Sequence, residues 1–123
     1  MKMSLADHKR LDVWVKAMDL AEAVYEAANL MPKREEYRLT SQMIRAAISV
    51  PANIAEGHTR ASRKEYAHFV SIARGSNAEL ETLLLLAART RLLPKDITDR
   101  LIAGSDEISR MLNKLHARLR ETP

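Results

Sequence analysis

The chain has 123 residues, with 20 Lys and Arg against 16 Asp and Glu for a formal charge of +4. That length suits one domain with a real core, and 46% apolar residues beside only three glycines and four prolines argue against disorder or a linker-rich architecture. There is no cysteine, which excludes disulfides, thiolate metal sites and thiol nucleophiles. The basic balance favours an anionic partner such as nucleic acid.

The N-terminal stretch M-K-M-S-L-A-D-H-K-R holds no apolar run suited to a signal peptide, and no segment approaches the roughly 18 apolar residues of a membrane span. A cytoplasmic location with no membrane partner is the expectation. In the first predicted helix, Leu11, Trp14, Met18, Ala21, Tyr25 and Ala28 form one stripe and Val13, Ala17, Leu20, Val24 and Ala27 a second. One helix with a wide buried face accounts for both. Pro32 closes it, because proline disfavours the α conformation in the residue before it.

The second helix carries Leu39, Met43, Ala46, Ala47, Val50 and Ile54 on one face, with Gly57 as an end signal. Pro51 lies inside it. Yet Gln42, Arg45, Ser49, Asn53 and Glu56 keep a helical spacing across the proline, so the helix is expected to continue through it with a kink near Val50. Proline costs a helix interior about 3 kcal/mol, because it removes an amide donor and its ring collides with the carbonyl four residues earlier. The polar stripe is read either as a solvated face or as a seam of interhelical hydrogen bonds. In the second reading Arg45 pairs with Glu79, Asn53 and Glu56 bond toward the start of the third helix, and Gly75 and Ser76 allow close backbone approach.

Ser62 to Glu65, S-R-K-E, fits a capping box that opens the third helix. Its run Leu83 to Leu86 covers every side of a turn and is expected to be buried against more than one neighbour. Pro94 ends this segment, with Asp96 or Thr98 as caps for the fourth helix. There Ile97, Leu101, Ile108, Met111, Leu115 and Leu119 keep the spacing, with Gly104 at one apolar position. Helices over about 8–29, 36–58, 62–91 and 96–120 and short connections predict an all-α fold, an antiparallel up-and-down four-helix bundle in a single domain, 1–123.

L-D-V-W near the start, P-x-x-x-E-Y-x-L-x-x-Q-x-x-R-A-A-x-S-V-P-A-N-I-A-E-G from Pro32 to Gly57, then R-x-S-x-x-E-Y and G-S-x-x-E-L, resemble the four-helix-bundle family of 23S rRNA intervening-sequence proteins, or S23 ribosomal proteins. Gln42, Arg45, Pro51, Asn53, Glu56, Gly57, Arg60, Ser76 and Glu79 match its pattern. Met31 and Asn77 depart from it, and both read as packing changes. The resemblance implies a homopentameric ring. It also implies a relation to the accessory variability protein of diversity-generating retroelements, a basic ring that contacts reverse transcriptase and nucleic acid.

No catalytic residue is expected. The chain has no P-loop, G-x-S-x-G or G-x-G-x-x-G. Glu65 and His68 make a single E-x-x-H, where a di-iron site needs two such pairs plus a glutamate from each of the other two helices. His8, His58 and His116 show no ligand spacing. No metal or cofactor is therefore expected. An up-and-down bundle would gather Lys9, Arg10, Arg60, Arg63, Lys64, Lys114, Arg118 and Arg120 at one end. Of these, Arg60, Arg63, Lys64, Lys114 and Arg118 are the candidates for nucleic-acid binding, with an ordinary solvated surface as the alternative, since the other end is also basic. The expected function is a non-enzymatic homo-oligomeric adaptor for RNA or DNA and a nucleic-acid enzyme. The alternative is an oligomeric protein-interaction scaffold with no nucleic-acid role.

Overall fold

The computed structural model describes residues 7–121. The first six residues, on which most of the reading for a targeting segment falls, and the last two lie outside the described part. Four α-helices make up most of the chain: α1 (Asp12–Ala28), α2 (Ser41–His58), α3 (Arg63–Arg89) and α4 (Lys95–Arg120). No strand is present among the described residues. All four contribute to one apolar core that includes Val24, Met43, Ile54, Leu80, Leu84, Ile108 and Leu112. The bundle is thus all-α, and no described helix is long and apolar enough to cross a membrane.

The direction of the helices follows from their contacts. Ser49 meets Ser76 while Gly57 meets Tyr66 and Phe69, so α2 and α3 run in opposite directions. Asn77 meets Ser105 and Arg74 meets Asn113, which makes α3 and α4 opposite too. Lys16 with Glu107 and Leu20 with Gly104 do the same for α1 and α4.

In α1 the two apolar stripes part company. Val13, Ala17, Leu20, Val24 and Ala27 are buried, joined by Ala21, whereas Met18 and Tyr25 from the other stripe remain 45% and 50% exposed. The face is narrower than the periodicity suggests, because α2 and α4 cover only one side of the helix. After α1 the chain passes Pro32 in an extended conformation into a 3-10 turn, Lys33–Glu35, and then a π-helical turn, Glu36–Thr40. Regular α-helix starts at Ser41, because Arg38 has φ −118° and ψ −112° and cannot extend an α ladder. Ser41 Oγ donates to the Arg38 carbonyl at 3.2 Å.

α2 runs through Pro51, which is buried beside Met43, Ala47, Val50 and Ile54. Gly57 does not end the helix, and no glycine among the described residues has positive φ. It serves a different purpose: a Cβ there would lie 2.8 Å from Phe69 Cβ, 3.0 Å from a Tyr66 ring carbon and 3.2 Å from the Tyr66 carbonyl oxygen. Lacking a side chain, Gly57 lets α3 settle onto the end of α2. Gly75, expected to allow close approach, has nothing within 4 Å of where its Cβ would be.

α3 opens at Ser62, whose extended backbone and side-chain oxygen cap the helix by accepting from the Glu65 amide at 3.1 Å. Its buried stripe is Ala67, Val70, Ala73, Asn77, Leu80, Leu84 and Ala87. In the four-leucine run only Leu84 is fully buried, and Leu85 and Leu86 are nearly half exposed. α3 closes through Arg91 in the left-handed region, φ 58°. The Leu92 amide donates to the Ala87 carbonyl at 3.0 Å and the Arg91 amide to Ala88 at 3.1 Å, the paired bonds of a Schellman ending. Pro94, in extended backbone, precedes α4. Neither Asp96 nor Thr98 caps that helix, and Thr98 Oγ1 instead donates back to the Lys95 carbonyl at 3.1 Å.

The buried stripe of α4 is Thr98, Leu101, Ser105, Ile108 and Leu112. Ser105, rather than Gly104, occupies the seam against α3, and it faces Asn77. Asn77 Nδ2 donates to the Ser105 carbonyl at 2.8 Å, and Ser105 Oγ donates to Asn77 Oδ1 at 3.1 Å. Asn77 is therefore more than a packing change. Within an apolar seam this reciprocal pair is satisfied only when α3 and α4 are in one register, since sliding either helix would leave buried donors unpaired.

Asn77→Ala removes both bonds and leaves a small void, and is expected to lower the unfolding free energy by about 2–3 kcal/mol in urea denaturation. Gly57→Ala is expected to cost about 1–3 kcal/mol through overpacking. Gly75→Ala should stabilise by about 0.5–1 kcal/mol, because it removes a mid-helix glycine into open space. Equal effects of the two glycine variants would contradict the packing described.

Candidate functional site

Only the middle of the polar stripe on α2 joins α3. Ser49 Oγ and Ser76 Oγ lie 2.7 Å apart, and Asn53 Nδ2 donates to the Ser49 carbonyl at 2.8 Å and to Ser49 Oγ at 3.0 Å. This small cluster is half-buried. Gln42, Arg45 and Glu79 are exposed, and no ion pair joins Arg45 to Glu79 among the described residues. Glu56 does not reach α3 either, but pairs with Arg60 one turn on, at 3.0 Å. The stripe is thus solvated at both ends and a seam only at Ser49; Asn53, expected to bond toward α3, bonds back to Ser49 within α2 instead. Pro51, one of the same motif, belongs to the core, and Gly57 to the α2–α3 contact. Arg45→Ala is accordingly expected to leave the stability in urea denaturation within about 0.5 kcal/mol of wild type.

The five basic candidates divide in a similar way. Arg63 and Lys64, in the first turn of α3, line a groove of about 620 Å³ between α3 and the end of α4. Its walls also carry His68, Ser71, His116 and Arg120, and Glu121 is the one carboxylate there. Arg63 donates to the Arg118 carbonyl, and Arg118 itself does not line the groove. Arg74 donates from Nε to Asn113 Oδ1 at 2.9 Å, tying the two helices together farther along. Arg60 is directed elsewhere: its guanidinium sits over the Phe69 ring at 4.7 Å and pairs with Glu56. Lys114 is exposed on α4 and does not line the groove.

His68, His116 and Arg120 line the groove as well, although none of them is among the five basic candidates. Arg120 is expected at this end of the bundle; the sequence signal for the two histidines is the same meeting of the start of α3 with the end of α4, applied to His as well as to Lys and Arg. His116 is held below the ordinary histidine value, first by burial and then by the positive charges of Arg74 and Arg120. Nearby on the other side of α3, His58 Nδ1 lies 3.1 Å from Tyr66 Oη, and burial pushes the Tyr66 phenol up.

Chemically, the groove offers three permanent cations against one carboxylate, beside the positive end of the α3 dipole. No Tyr, Trp or Phe lines it, which suits contact with a phosphate backbone rather than base stacking. Two other grooves have different character. One of about 430 Å³ between α1 and α4 mixes Lys16 and Arg100 with Asp19, Glu26 and Glu107. Another of about 580 Å³ between α1 and α2 is mostly apolar, with Trp14, Met18, Tyr25 and Ile48. Among the described residues no group of three or more His, Asp or Glu side chains is placed to hold a metal ion.

Comparison with solved structures gives a protein of unknown function from the S23 ribosomal protein family of Bacteroides thetaiotaomicron. It is 24% identical, superposes with a TM-score of 0.80, and the match covers 85% of this chain and 97% of that one; it shares the fold. No curated protein matches the chain. Residues 9–114 match the family of 23S rRNA-intervening sequence proteins. With the four-helix fold and nearly the whole of the bundle inside that match, this chain belongs to the 23S rRNA-intervening sequence protein family.

Proposed function

We propose that this protein is a non-enzymatic, self-assembling adaptor of the cytoplasm that holds RNA or DNA by its phosphate backbone, in the service of a nucleic-acid enzyme. The observation that carries the reading is the groove at the end of the bundle, where Arg63, Lys64 and Arg120 converge from two helices against a single carboxylate. Clustered Lys and Arg release counterions when they meet phosphates, so binding of this kind is salt-sensitive and largely indifferent to sequence. The opposite end supports it less well, since Lys95 there is paired with Asp99 at 2.8 Å.

Self-association, as a homopentamer by the resemblance and with a link to the retroelement accessory protein, would multiply these cations and focus them on a ring surface. The exposed Met18, Tyr25 and Ile48 of the α1–α2 groove support association, because apolar side chains clustered on a surface favour contact with another chain. The same groove favours the second reading, a protein-interaction scaffold with no nucleic-acid role.

The test is an anisotropy titration with structured RNA and duplex DNA across salt concentrations; the family's name makes a 23S rRNA segment a natural first probe. The expected result is binding whose logarithmic salt slope falls by about two in the Arg63→Ala/Lys64→Ala variant, at about 0.9 for each phosphate that is no longer neutralised. Absence of binding even at low salt would overturn the adaptor and leave the scaffold.

A further inference from the structure

We propose that His68 and His116 make the α3–α4 groove a pH-dependent holder of nucleic-acid phosphates, which tightens as the imidazoles take up protons. This rests on the backbone-binding function proposed above and adds its regulation. The two histidines come from different helices, His68 from α3 and His116 from α4, and line one groove. The charged groups around them are Arg63, Lys64 and Arg74 on α3, Arg120 on α4, and Glu121 just after it.

The cations around the groove make it a poor place for another positive charge. Burial and the fields of Arg74 and Arg120 hold His116 below its ordinary value, which favours the neutral ring. A phosphate entering the groove reverses the local field: its negative charge screens the arginines and attracts an imidazolium, which presents two N–H donors where the neutral ring presents one. The bound state therefore has the higher proton affinity, and binding takes up protons. By linkage, the added affinity is fully present below the free-state pKa and is lost as pH rises through the bound-state pKa. The higher proton affinity of the bound state makes binding tighter at low pH. Each imidazolium that meets a phosphate also adds about 0.9 to the salt slope.

The remaining described histidines lie outside the groove, His8 edge-on to Trp14 and His58 edge-on to Tyr66. They can stay in place while the groove pair is changed.

The experiment is a titration of the full chain with a short RNA duplex at about pH 5.5 and about pH 8, at constant ionic strength. Ordinary carboxylates and phosphodiesters keep their charge across that window, which leaves histidine as the titrating side chain. Wild type is expected to bind at least about tenfold more tightly at the lower pH, with a steeper salt slope. His68→Gln/His116→Gln should bind at both pH values as wild type does at the higher one. His68→Gln alone, at an exposed position where folding is not at risk, should remove part of the response. Wild-type binding that is equal at the two pH values would overturn this inference and leave the adaptor reading standing, as would a pH response that survives in the double variant. No binding at either pH, at low salt, would overturn the adaptor reading and this inference with it.

Discussion

The close approach of α3 to α2 at Gly57 is the constraint from which the placement of the basic groove follows. A side chain at that position would collide with Phe69 Cβ and with the backbone of Tyr66, so the contact exists only because α2 carries a bare Cα there. With α3 held against α2 so near its start, the connection from Thr59 to Ser62 has little freedom. Its residues are used at once: Thr59 Oγ1 donates to the Glu56 carbonyl at 2.8 Å, Arg60 lies over Phe69, and Ser62 caps α3. The cap fixes where the helix begins, and hence where Arg63 and Lys64 are presented.

A second constraint sets what those cations face. Asn77 and Ser105 place a reciprocal hydrogen-bonded pair inside the apolar seam between α3 and α4. Leucines would pack there in more than one register; a buried amide and hydroxyl are both satisfied in one. With that register chosen, Arg74 reaches Asn113, Arg63 reaches the Arg118 carbonyl, and His68 and His116 share one groove. The positions of the groove residues are thus consequences of two packing events, one at each side of α3.

The surface divides accordingly. The α3–α4 end is basic, with three permanent cations beside two imidazoles and one carboxylate. The α1–α2 side is apolar, because the bundle covers the second stripe of α1 only in part and leaves Met18 and Tyr25 exposed. A helix with part of its second stripe in water is stable here because Val13, Ala17, Leu20 and Val24 are buried. Met18 and Tyr25 then remain exposed.

The sequence by itself determined the helices and their order, since apolar spacing, the Ser62 cap and the breaks at Pro32 and Pro94 are local signals that survive without neighbours. It also determined that Pro51 lies within a helix, because the stripes on either side stay in phase, and it pointed to the family through the N-I-A-E-G and G-S-x-x-E-L motifs. The tertiary structure decided what each polar or small residue does. Gly57 and Gly75 are identical as letters; one lies against Phe69 and Tyr66 and the other against open space. Arg45 and Ser49 share a stripe, yet only Ser49 reaches α3. Asn77 reads in the sequence as an exception to a pattern and in the fold is half of a buried pair. These outcomes depend on distances between residues tens of positions apart, which helical spacing does not encode and packing does.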